Sequence, residues 1–256
     1  MRLVIAAAAV LATATALSAQ ASKQIVTAGS ASNLDLPFSP AVKAGGFIYV
    51  SGTISQEGGD IRAQTKWCLE DIDRTLKAAG SSLQNAASIN VYLKNQGDFA
   101  AMNEVYRTFF KENPPARTTI VADLVIPEGL VEISAVGIPI GAERVAVHPP
   151  DWIKSPNPYS YAIKSGDTLF LAGLISRNGK DNSVVEGGID VQVKTAMDNA
   201  GQILKAAGYS FADVVAVRNY ISDASGFQAM NKVYQTYFPK DPPARETWSA
   251  RIFVMC

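Results

Sequence analysis

Histidine is almost missing from this sequence. Its 256 residues include one His, His148, and two cysteines, Cys68 and Cys256. Each scarcity excludes a chemistry. A Ser-His-Asp triad would have to be built on His148, and no G-x-S-x-G elbow accompanies it. Zinc sites need clustered His and Cys, which are absent. No G-x-G-x-x-G or Walker loop is present to cradle a nucleotide, so metal, nucleotide and flavin cofactors are not expected. Two cysteines make no disulfide framework. Charge of one sign is also lacking, since 23 Lys+Arg face 23 Asp+Glu with no dense basic run. A chain without a basic stripe is poorly suited to nucleic acid.

Long apolar runs are scarce as well, with one exception at the start. Residues 1–21, "MRLVIAAAAVLATATALSAQA", place one Arg before an Ala-rich apolar core and end on the small-x-small step Ala19-Gln20-Ala21. That pattern reads as a secretory signal cleaved near Ala21, with the periplasm or the exterior as destination. The apolar core falls short of the ~20 residues that span a bilayer, so no membrane association is expected after cleavage.

What the chain does contain is itself twice. "LPFSPAVKAGGFIYVSGTIS" at 36–55 matches "NPYSYAIKSGDTLFLAGLIS" at 157–176, a shift of 121. "LKAAG" recurs at 76–80 and 204–208, "FAAMNEVYRTFF" at 99–110 returns as "FQAMNKVYQTYF" at 227–238, and "NPPAR" at 113–117 returns as "DPPAR" at 241–245. These later blocks are shifted by 128. Identities at matched places in separate blocks mean a duplicated fold. The reading is a first domain over 22–140, a Pro-containing linker over 141–154 and a second domain over 155–256.

Each copy carries the same periodicities. "FIYVSGTIS" and "TLFLAGLIS" are β-rich runs. Leu69, Ile72, Leu76 and Ala79 fall on one helical stripe closed by Gly80. "SINVYLKN" is a strand, and Asp98 is placed to cap a helix whose Phe99, Met102, Val105, Tyr106 and Phe109 share an apolar face. "TTIVADLV" and "LVEISAVGI" are two further strands. The unit is β-α-β-α-β-β after a short lead-in, an α+β domain with both helices on one sheet face. Its other sheet face must be covered by domain-on-domain packing.

The remaining chemistry lies in Arg, Glu and backbone amides. Two prolines hold the chain extended ahead of Arg117 and Arg245 and so pre-position an always-charged planar group that grips carboxylates. Glu132 alternates with Val131 and Ile133, and an apolar wall beside it would raise its pKa toward a proton shuttle's range. Together, "PFSPAVKAGGFIYVSGTIS", "DFAAMNEVYRTFF", "PPAR" and "VEISAVG" resemble the Rid/YjgF family in order and spacing. These are reactive-intermediate deaminases, also known as endoribonuclease L-PSP, and the resemblance covers 25–139 and again 157–254.

The resemblance implies a chorismate-mutase-like α+β fold, self-association in trimer-like barrels and sites in clefts between domains. It also implies cofactor-independent hydrolysis of enamines and imines such as 2-aminoacrylate to 2-keto acids and ammonia. Carried onto this sequence, Arg117 would clamp the substrate carboxylate, Gly52 and Thr119 would offer backbone contacts, Asn103 would support the cleft and Glu132 would activate water. Tyr159, Gly173, Asn231 and Arg245 match in the second copy, and Thr247 stands where Thr119 does. Two departures are visible: Phe38 replaces the cleft tyrosine in the first copy, and both copies have Thr two residues after the Arg, where deaminases often have Cys.

Cys256 precedes the position where a second Glu132 would fall, so the second copy is expected to lack its last strand. Either the sequence is truncated or an incomplete record, or another segment fills the gap, in which case an extended run from a neighbour is expected to pair with 246–254 or 168–175. Arg117 and Glu132 are expected together in the better-formed site, with Arg245 in a compromised one. A non-catalytic carboxylate-binding or chaperone-like protein on the same scaffold is the alternative reading. RNA cleavage fits the neutral charge and missing catalytic His poorly.

Overall fold

The computed structural model describes residues 22–30, 35 and 37–252. The signal-like segment 1–21 lies outside the described residues. The first repeat runs β1 (Gln24–Val26), β2 (Ala41–Ala44), β3 (Phe47–Ile54), α1 (Ile61–Ala78), β4 (Ala86–Leu93), α2 (Phe99–Phe109), β5 (Ala116–Val121) and β6 (Val131–Gly137). The second runs β7 (Val145–Val147), β8 (Ala162–Ser165), β9 (Thr168–Leu171), α3 (Ile189–Ala206), β10 (Ala216–Ile221), α4 (Phe227–Tyr237), β11 (Ala244–Ser249) and β12 (Arg251–Ile252).

The α1 helix forms where its sequence signals it. The Asp60 side chain accepts the Ala63 amide at 2.9 Å, and Gly80, at φ +80°, ends the helix while the Ser81 amide reaches back to the Leu76 carbonyl at 2.8 Å. Its buried stripe of Leu69, Ile72 and Leu76 packs with Ile89, Val91, Ile133, Met102 and Tyr106 in one core. Each such aliphatic side chain contributes about 1.5–3 kcal/mol by leaving water. Asp98 does head α2, but its carboxylate accepts from Asn95 Nδ2 at 3.1 Å rather than from a helix amide.

Strand order in the large sheet is β1-β2-β3-β6-β4-β5-β12. β6 lies between β3 and β4 and is antiparallel to both, while β4 and β5 are parallel. In the second repeat β7-β8-β9 form one small sheet and β10-β11 a separate parallel pair. Among the described residues nothing occupies the place between β9 and β10 that β6 fills in the first repeat.

The run that pairs near 246–254 comes from the same chain. β12 lies antiparallel to β5, with Arg251 opposite Val121 and Ile252 opposite Ile120. Further along the same edge, the Ser160 amide donates to the Pro115 carbonyl at 3.2 Å and the Gly173 amide to the Arg117 carbonyl at 3.1 Å. Three segments of the second repeat thereby cover a strand edge that would otherwise template foreign pairing. The open sheet face is covered as well. Ala87, Ala116 and Ile138 of the first repeat share a cluster with Ile163 and Ala172 of the second, and Phe47 meets Phe170 edge-on at 5.2 Å.

Candidate functional site

Each Pro-Pro-Ala-Arg step begins with a residue in the left-handed region, Asn113 at φ +44° and Asp241 at φ +49°. Asn and Asp tolerate that conformation better than most residues. The turn delivers Arg117 as the second residue of β5, opposite Ile89 of β4, so its side chain enters the layer between sheet and helices. There the guanidinium carbon lies 4.7 Å from the Tyr106 ring centre and 5.8 Å from that of Phe99, both on α2. A third ring, Tyr159 of the second repeat, lies 6.0 Å away.

Arg117 is 4% exposed, and among the described residues no carboxylate pairs with it. Burial, the largest influence, pulls its pKa below the usual arginine value. Its Nη1 lacks a hydrogen-bond partner, as do the Tyr106 hydroxyl, Thr119 Oγ1 and Asn103 Oδ1. The Asn103 Nδ2 donates to Asn157 Oδ1 of the second repeat at 3.4 Å. A buried cation is costly unless paired, and this one lies at the seam between the repeats, beside Tyr159 of the second.

Arg245 has the same cradle with one wall fewer. Its guanidinium carbon lies 4.7 Å from the Tyr234 ring and 5.9 Å from Phe227. Asn231 Oδ1 and the Tyr234 hydroxyl again lack partners. Among the described residues no third ring stacks on it, and Phe38, which corresponds to Tyr159, is 51% exposed. Thr247 follows on β11 at the place matching Thr119.

Glu132 is elsewhere, and this corrects the sequence-based expectation. It lies opposite Tyr92 on β4, whereas Arg117 lies opposite Ile89. Positions 89 and 92 differ in parity, so the two side chains leave opposite faces of the sheet. Glu132 lines an open cavity of about 240 Å³ with Gly52, Tyr92, Asp123, Leu124 and Ser134. A Cβ on Gly52 would stand 1.9 Å from Glu132 Oε1, so glycine there makes room for the carboxylate. Burial raises the Glu132 pKa above its usual value. Gly52 therefore accompanies Glu132, and it is Gly173 of the second repeat that bonds the Arg117 strand.

The rings that hold the arginines, Phe99 and Tyr106, had registered only as core. The signal that could have singled them out is their exact return as Phe227 and Tyr234 in front of the second PPAR. Asn157 carried no local signal, because its role depends on how the repeats dock.

Fold and site together define a class: a duplicated α+β domain with a buried arginine at the seam between its copies, unpaired with any carboxylate among the described residues. The sequence profile of the endoribonuclease L-PSP family matches residues 30–138 and again 151–252, and the chain belongs to that family as a tandem member. A RutC family protein of Pyrococcus horikoshii is 41% identical over 107 residues, 39% of this chain and 85% of the relative. The 3-aminoacrylate deaminase RutC of Acinetobacter baylyi is 37% identical over 107 residues, with the same shares of 39% and 85%. A solved YjgF-family protein of Neisseria meningitidis is 30% identical and covers 47% of this chain and 97% of its own, with a TM-score of 0.43.

Proposed function

We propose that the seam cleft binds a small 2-imino or enamine carboxylate and promotes its hydrolysis to a 2-keto acid and ammonia. The observation that carries this reading is the buried Arg117 guanidinium, which has no counter-ion among the described residues. It is supported by the activity in the name of the Acinetobacter relative. In the reaction the enamine takes up a proton at carbon to give the iminium, water adds to the iminium carbon, and the carbinolamine collapses with loss of ammonia. Arg117 would hold the substrate carboxylate in two parallel bonds, with the ring of Tyr159 as one wall. The unpartnered hydroxyls of Tyr106 and Thr119 are available to the reacting nitrogen or to water. Uncatalysed hydrolysis already proceeds in water, and fixing the substrate in place supplies an orientation advantage. No cofactor enters this scheme.

The test generates imines from several amino acids and follows 2-keto acid release. Wild type should exceed the solvent rate, and Arg117→Ala should fall back by about 30-fold or more, the loss of one desolvated charge pair. Equal rates for the two proteins would refute the proposal. RNA incubated with the same pair should show no difference.

One observation favours a second reading, a carboxylate-binding protein without turnover. Among the described residues no carboxylate stands in the Arg117 cleft to serve as general base, since Glu132 occupies the other sheet face. Binding of 2-keto acids without acceleration of imine hydrolysis would identify this case. We also propose that residues 1–21 direct export and are removed near Ala21, which N-terminal sequencing of the secreted protein checks. Assembly into trimer-like barrels is likewise proposed and is read by light scattering.

A further inference from the structure

The seam within the chain has two sides, and the duplication presents each side a second time. On the acceptor side, β5 receives the Gly173 amide at its Arg117 carbonyl and β12 along Ile120 and Val121, and Ala87 joins the apolar cluster. On the donor side, Tyr159 comes over Arg117 and Phe170 meets Phe47. The repeat offsets of 128 and 121 residues carry these positions to two other surfaces. Ala87, Arg117 and Ile120 become Val215, Arg245 and Trp248 on and beside β11. Tyr159, Phe170 and Gly173 become Phe38, Tyr49 and Gly52 of the first repeat.

The chain therefore carries one seam that is closed and both halves of a second that is open. Surface exposure follows the same division. In the closed seam Ala87 and Ile120 are buried, and Tyr159 and Phe170 are half-buried. Their counterparts Val215, Trp248, Phe38 and Tyr49 are all exposed. β11 pairs only with β10 among the described residues, so the edge matching the covered edge of β5 carries no strand. Exposed large apolar side chains grouped on one face mark association surfaces, and an open strand edge invites pairing. One position differs between the seams. A Cβ on Gly173 would touch Thr118 of β5 at 3.2 Å, so a small uncharged side chain fills that place. The same place against Gly52 holds the Glu132 carboxylate, and the counterpart of Thr118 is Glu246.

We propose that the partner of both open faces is a second copy of this chain. Its first repeat docks on β11 as the second repeat docks on β5, and its Phe38 becomes the third ring over Arg245. The proposal rests on the self-association proposed above and assigns it two surfaces. Those surfaces are unlike, so the contact is heterologous and propagates around a ring or along a chain instead of ending at a twofold pair. Glu246 of one copy meets Glu132 of the next in this register, and like charges facing each other weaken the contact.

Analytical ultracentrifugation of the purified protein beside two blocked variants tests it. Tyr49→Lys blocks the donor face and Val215→Lys the acceptor face, each at an exposed position where the fold tolerates charge. Wild type should associate, and each variant should do so about 100-fold or more weakly, the effect of placing an unpaired charge in a packed contact. An equimolar mixture of the two variants should form a dimer and nothing larger. It restores one unlike pair of faces and leaves a blocked face at each end. Glu246→Thr, which gives the open seam the residue type of the closed one, should associate more tightly than wild type. Association that neither lysine weakens, a mixture that stays monomeric, or a Glu246→Thr variant no tighter than wild type overturns the docking proposal alone. A monomeric wild type refutes it together with the self-association on which it rests.

Discussion

A guanidinium buried against three rings, with no acid paired to it among the described residues, is held at a cost, and stacking rather than ion pairing supports it. Arg–ring contacts of this kind contribute about 0.5–2 kcal/mol each, less than desolvation of the charge removes. Glu132 stands in the opposite situation, a half-buried carboxylate with its pKa raised from 4.5 by burial alone. A raised folded-state value means that the folded protein holds this proton more tightly than the unfolded chain. The associated stability is complete below pH 4.5 and is lost as pH rises through the folded value. Glu132→Gln cannot ionise, so its stability relative to wild type should increase across that window; thermal melts at stepped pH check this, and a constant difference would contradict it. The same variant should leave 2-keto acid binding at Arg117 unchanged, because the sheet separates the two groups.

At the scale of elements, the duplicated pattern has two different outcomes. β4 pairs on both edges, with β6 and β5, and its Ile89, Val91 and Leu93 are fully buried. The matching β10 pairs only with β11 among the described residues, and Val215 just before it is 83% exposed. Amides protected on one edge only open at lower free energy. Hydrogen exchange should therefore be markedly slower in Ala86–Leu93 than in Ala216–Ile221, and equal protection would indicate that β10 has a partner on its other edge. The helices, their stripes and the PPAR turns were legible in the sequence because they rest on local periodicity and on proline and glycine chemistry. Asp98 shows the limit of such reading: its position at the head of α2 was foreseeable, but its bond to Asn95 was not, since two partners compete for one carboxylate.

At the scale of the molecule, the repeats are coupled by a small apolar contact, by segments of the second repeat paired along the β5 edge and by side-chain hydrogen bonds from Asn103 and Arg107. Ile163 is fully buried in the cluster that joins the repeats, and a charge there would be buried without a partner. Ile163→Asp should cost several kcal/mol at this seam, detach the second repeat from the β5 edge and abolish 2-keto acid binding through loss of the Tyr159 wall. Denaturant unfolding should then resolve two transitions in place of one; a single transition with ligand binding intact would show that the seam does not depend on this contact.

The sequence by itself determined the duplication, the α+β unit and the recurrence of the Pro-Pro-Ala-Arg step that ends in Arg117 and Arg245. These follow from residue type and short-range spacing. Only the tertiary structure decided that Arg117 and Glu132 part company across the sheet, and that Tyr159, Asn157 and Gly173 come to Arg117 from the other copy. Facing is set by strand register, where a shift of one residue sends a side chain to the opposite side. Partnership across the seam is set by the docking of surfaces more than 40 residues apart in the chain, and no local pattern encodes that.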